Sequence, residues 1–550
     1  MTLKSLLALC SVLIFGLGGL AAQTAGWHWA SAAGGAEIDL GYAIAADGIG
    51  NQYVAGTFKG TAVFGSTPLT SGGGNDIFVA KLDPAGNWLW AKRAGGLGSD
   101  NGYGIALDAN ANVYLTGAFT GTAGFGSFSL VSSGSSDAFI AKLDNEGNWL
   151  WAVKAGGSGI DRGNALAVAG NDHVYLTGCF NGTAVFGGTS LTSAGSYDIF
   201  AAKLDINGNW LWAVKAGAGG ADWGLGIALD VSANAYLTGY IYDSANFGTI
   251  ALTGFGLWDI FAAKLDPAGN WLWASGAGGA SADMSYGIAL DSIGNVYLGG
   301  YFGLTALFGS TSLTSLGSEE IFAAKLDNLG NWLWARQAGG TSNERCFGLD
   351  VDLNDSAVIT GSFRETAQFG ALSLTSLGAE DVFVAKLDPL GNWLWAGRAG
   401  GADPAVGVGI AADPNGDICL TGYLQGTADF GSISVTSNGS QDAFVARLDA
   451  SGVNIADDSV PPGHCQSVLH GAYPNPFRTG GTTRLEAHIV RGETGKLSIF
   501  NLRGQLVACH ELSSGDQHIV LGSEGLSSGI YFYRLETPSL STTRKLILLP

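Results

Sequence analysis

The hexapeptide GNWLWA recurs six times, ending at Ala91, Ala152, Ala213, Ala274, Ala335 and Ala396, with a step of 61 residues and no insertion between copies. Loops tolerate changes of length more readily than the elements they join, so a period this strict makes the whole repeat one structural unit packed on its neighbours. Within one repeat, GYGIALD (102–108), NVYLTG (112–117), DAFIAKLD (137–144) and NWLWA (148–152) read as four short strands separated by glycine-containing turns.

Four strands per repeat is the content of a propeller blade. First-strand segments number seven, at Tyr42, Tyr103, Asn164, Leu225, Tyr286, Phe347 and Val408, but only six fourth strands follow them. The seventh repeat runs through Leu448 and Asp449 into SGVNI, where WLWA is due. Its substitute lies at the other end of the chain: GWHWASAAGG (26–35) matches NWLWAKRAGG, and Trp27 stands 61 residues before Trp88. An N-terminal strand that completes the last blade closes the ring and hides two sheet edges. The expected fold class is all-β: a seven-bladed β-propeller of 61-residue four-stranded blades over 23–453, closed by the N-terminal strand. The 88 glycines against 12 prolines, with 13% charged residues, suit many short strands joined by glycine turns. The VYLTGxF, DxFxAKLD and GNWLWAxxAGG segments resemble the bacterial family of seven-bladed propeller repeats over 26–453. The resemblance implies the fold and brings no activity or ligand.

Residues 1–22, with one early cation at Lys4, an apolar run to Leu20 and small Ala21 and Ala22, are expected to be a secretory signal peptide. No later stretch is long and apolar enough to span a bilayer. A formal charge of −20 without a basic stripe excludes nucleic acid as a partner. Cys10 falls in the signal segment. Cys179, Cys346, Cys419, Cys465 and Cys509 are odd in number and share no repeat position, so they read as small apolar fillers and not as a disulfide framework.

Several polar and aromatic residues repeat. Fourteen of the 16 tryptophans form the WxW pair of the fourth strand, whose period of two places both rings on one face; packing between blades and a glycan platform both fit that placement. Lys81, Lys142, Lys203, Lys264, Lys325, Lys386 and Arg447 each follow an acid by five residues, as Asp76 and Glu320 show, which suggests ion pairs flanking the third strand. Tight DxxGN turns trim one face of the ring. The opposite face carries the AGGxGxD connections and a stretch of about 20 residues between strands two and three, and is the expected binding face. Asp39, Asp100, Asp161, Asp222, Asp283 and Glu344 lie on it, one per blade, with Ala405 breaking the set. Such a ring can hold a cation or a cationic partner, or each acid can cap its own loop.

Catalytic signatures do not emerge. Only His28 and His173 fall in the repeats, and no His, Cys and Asp cluster has metal-ligand spacing. The segment from Asp350 to Gly361 imitates a calcium loop but lacks its glycine and its final Glu. Ser527 lies in a G-x-S-x-G followed by a strand where a nucleophile elbow needs a helix. No catalytic residue, cofactor or metal is expected.

The repeat stops after Asn454. Residues 454–470 read as a polar, proline-containing linker, and 471–550 as a small β-sandwich of the strands TTRLEAHIV, GKLSIFNLRGQLVACHEL, DQHIVLG, GIYFYRLE and TRKLILL. AYPNPF (472–477), FNLRGQLV, GLSSGIYFYRL and TRKLILL resemble the type A C-terminal sorting domain of the type IX secretion system. In that motif Pro474, Asn475, Pro476, Gly529, Tyr531 and Lys545 stand out. The resemblance implies an immunoglobulin-like domain, transport across the outer membrane after Sec export, an extracellular or surface location, and removal by a surface peptidase. The expected function is a secreted or surface-displayed binding module whose partners are the secretion machinery and an extracellular protein or glycan. An extracellular polysaccharide lyase or hydrolase and a purely structural surface-layer component are the alternatives.

Overall fold

The repeat sequence alternates two kinds of strand. Segments such as VYLTGAF and DAFIAKL are buried along their whole length, whereas TAGF buries every second residue and FSLV alternates half-buried with exposed ones. A strand with a partner on each edge and a packed sheet on each face must be apolar throughout, while one at a sheet margin alternates. Each repeat is assembled accordingly. The computed structural model describes residues 26–449 and, further on, 468–469, 477–489, 494–513, 515–524, 526–537 and 541–549. The chain divides into two compact units, Met1–Ile455 and Ala456–Pro550. The expected signal peptide and nearly all of the linker lie outside the described residues.

In the first repeat, strands Leu40–Ala46, Gln52–Phe58, Asp76–Leu82 and Trp88–Gly96 pair antiparallel in that order. The same order recurs down the chain, and the last unit, Ala405–Ala412, Ile418–Leu424 and Asp442–Leu448, takes Trp27–Gly35 as its fourth strand. Trp27 faces Leu448 and Ala33 faces Ala443 in that pairing. First strands of successive units lie against one another, and the seventh lies against the first.

Between strands two and three the repeat sequence predicts a long surface connection. The structure shows a second hairpin there, Thr61–Phe64 with Thr67–Thr70, whose first strand pairs with the fourth strand of the preceding unit through Gly34↔Val63 and Gly35↔Ala62. Equivalent straps join the other units, with Gly339 and Gln368 exchanging both backbone hydrogen bonds at 3.1 and 2.8 Å. The alternation in TAVF was legible: Ala62 and Phe64 point inward, and Phe64 meets the Trp88 ring edge-on at 5.5 Å. Gly65, at φ 60°, makes the tight turn that a side chain would strain.

Every first strand carries a bulge, at Tyr42, Tyr103, Asn164, Leu225, Tyr286, Phe347 and Val408. A bulge re-aims one side chain. These seven residues line a single central cavity of about 190 Å³.

In the C-terminal unit, two sheets share one core. One contains Thr482–Ile489 and Gly515–Gly522; the other contains Gly495–Asn501, Leu506–Leu512, Gly529–Glu536 and Ser541–Leu549. Leu485, Leu497, Ile499, Tyr533, Leu535 and Leu546 are buried between them. Among the described residues no helix is long and apolar enough to cross a membrane.

Candidate functional site: the long-connection face

The six loop acids lie beneath this face and not upon it. Asp39, Asp100, Asp161, Asp222, Asp283 and Glu344 are all 0 or 1% exposed. Asp100 accepts from Gly96 N at 2.7 Å and from Thr120 N at 2.9 Å, tying its own loop to the end of the second strand. Asp39 makes the same two contacts with Gly35 and Lys59, and Asp283 with Gly279 and Gly303. Burial lifts the carboxyl of Asp100 to about 6 and that of Asp283 to about 7, against the pull of those amides, while a second buried acid beside each, Asp76 or Asp259, adds repulsion. Of the two readings of these acids, the geometry is that of caps on their own loops, buried latches and not a solvent-facing ring for a cation. The amide four residues before each acid belongs to a glycine in Gly35, Gly96, Gly157, Gly279 and Gly340, and to Ala218 before Asp222.

The expected pairing of each third-strand cation with the acid five residues earlier is corrected. An odd separation puts the two on opposite faces of the strand. Lys142 pairs instead with Asp108 at 3.5 Å and Lys325 with Asp291 at 3.0 Å, while Asp137 meets Lys154 at 2.7 Å. The WxW rings lie between units: Trp90 Nε1 donates to the Asn145 carbonyl of the next unit at 3.1 Å, and Trp151, Trp212, Trp273 and Trp334 repeat the contact. Cys179, Cys346 and Cys419 are buried fillers; Cys509 is exposed, and Cys465 lies outside the described residues. Among the described residues no three His, Cys, Asp or Glu side chains form a metal-ligand set.

What breaks the repeat is the rim of the channel on the long-connection face. Three positions there are in register: the first residue of strand one, its partner near the end of strand two, and the residue before strand three. In the second unit they are Asn101, Ala118 and Ser136; in the fourth, Trp223, Tyr240 and Trp258. Trp223 stacks on Tyr240 at 6.1 Å and meets Tyr197 of the third unit at 5.6 Å. Trp258 sits between Tyr240 at 6.0 Å and Tyr242 at 6.5 Å. The Arg162 guanidinium lies 5.3 Å over Trp223 and forms no ion pair among the described residues. The fifth and sixth units continue the rim with Arg345, 5.2 Å over Tyr301 and paired with Glu319 at 2.5 Å.

The fourth unit departs from the others in backbone too. Its second and third strands run on without a break into the strap hairpin, as Ala235–Phe247 and Ile250–Leu265. Tyr242, Phe255 and Leu257 stand exposed on that extension, at 41, 50 and 50%. Trp223 and Trp258 are the two tryptophans outside the WxW pairs, and no local motif joins them to each other or to Arg345. Aligning the seven repeats column by column, and asking which columns vary, is the signal that finds this surface.

In the C-terminal unit, Tyr531 is buried and its hydroxyl donates to the Ser527 carbonyl at 2.7 Å; Gly529 opens the same strand, and Lys545 faces outward on the neighbouring one, opposite Phe532. Pro474, Asn475 and Pro476 lie outside the described residues.

A ring of four-stranded antiparallel repeats is a repeat β-propeller, and the unit that follows it is a type IX secretion sorting domain. Residues 471–549 match the secretion system C-terminal sorting domain family, which marks the chain for export to the cell surface or extracellular space. The chain is 26% identical over 410 residues to an uncharacterised WD repeat-containing protein of Acanthamoeba polyphaga mimivirus, covering 60% of this chain and 30% of that one. It is 24% identical over 432 residues to the regulatory protein FlaEY of Caulobacter vibrioides, covering 70% and 44%. It thus spans less than half the length of either relative. WD repeats build four-stranded propeller blades. A fungal alcohol oxidase of the AA5 family in complex with copper aligns at 11% identity over 96% of this chain and 100% of its own, with a TM-score of 0.36. PorZ, a surface component of the type IX secretion system of Porphyromonas gingivalis, aligns at 11% identity over 95% and 100%, with a TM-score of 0.22. Scores this low assign neither fold nor activity.

Proposed function

We propose that the chain is a non-catalytic binding module, a seven-bladed propeller delivered outside the cell by an immunoglobulin-like sorting sandwich, and that it engages a protein partner through the aromatic rim of its third to fifth blades. One observation carries the reading: on a scaffold whose interior repeats almost unchanged, Trp223, Tyr240, Trp258 and Arg162 cluster on one side of one face beside the exposed Tyr242, Phe255 and Leu257. Tryptophan, tyrosine and arginine are the residues that dominate protein interfaces, and exposed apolar neighbours complete such a patch. Trp223 is already covered by Arg162 and Tyr240, which leaves no open ring face there for a sugar and favours a protein.

The test is a screen of the mature chain against extracellular proteins and glycans in parallel, repeated with Tyr242→Ser/Phe255→Ser. The reading predicts a protein ligand whose affinity falls at least about tenfold in the double variant, the scale of losing one interface anchor. Binding that ignores the substitutions moves the contact surface elsewhere. Turnover of any polysaccharide by the purified chain sinks the non-catalytic reading in favour of a lyase or hydrolase.

A further inference from the structure

Beneath the short-turn face, the repeats carry a buried cation above a ring. Lys142 lies 4.8 Å over Tyr114 and 3.5 Å from Asp108, the residue that opens the turn between strands one and two. Asp108 also accepts from the Tyr114 hydroxyl at 3.3 Å and from Asn112 Nδ2 at 2.8 Å. The fourth unit repeats the set with Lys264, Tyr236, Asn234 and Asp230, and the fifth and sixth retain the ion pair as Lys325–Asp291 and Lys386–Asp352. In the seventh, Arg447 meets Asp413 at 2.6 Å.

The third unit keeps the donors and lacks the acceptor. Six residues before its tyrosine, where the neighbours have Asp108 and Asp230, stands Ala169. Lys203 remains 4.9 Å over Tyr175, is 8% exposed, and donates only to the Pro267 carbonyl of the next unit at 3.3 Å. No carboxylate among the described residues lies within ion-pair distance of it. The Tyr175 hydroxyl is fully buried and has no hydrogen-bond partner. His173 stands where the neighbours place the asparagine that donates to the aspartate. A buried cation without a carboxylate and a buried hydroxyl without a hydrogen-bond partner thus lie together where the neighbouring units place an aspartate, and leaving both unpaired is costly.

We propose that the third unit binds a small monovalent anion of the halide class, held by Lys203 Nζ and the Tyr175 hydroxyl in the space that an aspartate carboxylate fills in the neighbouring units. The replacement of Asp by Ala limits the ligand to about the size of a carboxylate. Asp230 and Asp266 of the next unit, which act on Tyr175 through space, limit its charge. Asp230 is already held by Lys264, Tyr236 and Asn234, and Asp266 by its own turn, so neither replaces the missing counter-ion. Burial without a carboxylate partner also lowers the pKa of Lys203, a cost that a bound anion offsets.

The experiment compares thermal unfolding of the full chain in sodium chloride and in sodium gluconate at matched ionic strength. In the wild type, Tm should rise in chloride and keep rising with the logarithm of its concentration once the site fills. Ala169→Asp supplies the carboxylate within the chain; its Tm in gluconate should match or exceed that of the wild type, and its chloride increment should vanish. Lys203→Met, which removes the cation, should also lose the increment and serves if Ala169→Asp does not fold. Crystals soaked in bromide should show an anomalous peak between Lys203 Nζ and Tyr175 Oη. Equal chloride increments in wild type and variants, or no bromide peak in the wild type, overturn the proposal.

Discussion

Trp29 Nε1 donates to the Pro84 carbonyl at 3.0 Å, tying the N-terminal strand to the turn between strands three and four of the first repeat. Nothing in the local sequence links the two. The contact is the same one that Trp90 makes with Asn145, so the strand borrowed from the N-terminus docks on the next unit as an ordinary fourth strand does.

Deleting 26–35 should therefore remove the pairing with Asp442–Leu448, the strap contact with Thr61–Phe64 and the Trp29 bond together. The expected outcome is loss of a cooperative melt and appearance of larger species in size-exclusion chromatography, since two edges open. Trp29→Phe keeps the ring and loses the donor; it should cost only about 1 kcal/mol in denaturant unfolding.

At the same seam, Arg447 meets Asp413 at 2.6 Å and Asp417 at 2.8 Å, and donates to the Pro84 carbonyl at 3.0 Å. Arg447→Met leaves a fully buried carboxylate without its cation and should destabilise by about 3–5 kcal/mol. Arg447→Lys, with a single charged nitrogen for three acceptors, should fall between that variant and the wild type when unfolding midpoints are compared.

The latch acids give the fold an unusual pH dependence. Asp39, Asp100, Asp161 and Asp222 are raised to about 6, and Asp283 and Glu344 to about 7, burial being the leading cause in each. Groups raised on folding contribute stability that is complete below their unfolded pKa and lost as pH rises through the folded value. Turn acids such as Asp83 and Asp266, held low chiefly by the amides of Asn87 and Asn270, work the other way, and their contribution is lost as pH falls below the ordinary carboxyl range. Tm should peak in mildly acidic buffer and decline between about pH 5 and about pH 8, with a shallower decline in Asp283→Asn. A flat or rising Tm across that window would contradict the buried-latch geometry.

The second glycine of AGG sets how closely a strap approaches. A Cβ at Gly157 would stand 1.8 Å from the Thr183 carbonyl oxygen, so Gly157→Ala should cost about 1–3 kcal/mol as the backbone gives way. Ala218 occupies the same column one repeat later, where the fourth unit's hairpin pairs only as far as Gly217. Ala218→Gly should leave the unfolding midpoint nearly unchanged.

That column shows how the sequence was readable. The four core strands of a repeat, their phase and the closing role of Trp27 were readable because the repeat imposes one geometry again and again, whereas the strap hairpin was not. The latch acids were found as repeated residues with loop capping among their readings, but the third-strand cations were given the wrong partners, because the true ones, such as Asp108 for Lys142, lie 34 positions away. Repetition reports that a position matters without reporting what it touches. The aromatic rim was missed for the opposite reason: Trp223 and Trp258 are departures from the repeat, and only their shared register at one end of three strands brings them together.

Pairing of Trp27–Gly35 with Asp442–Leu448 joins the first strand of the ring to its last. A contact spanning that much chain forms late and slowly, because loop closure over the whole domain precedes it. Until the seventh repeat arrives, WHWASAAGG is an apolar strand held only by its strap and indole contacts with the first repeat, and the final step of folding is the capture of the ring's first strand by its last.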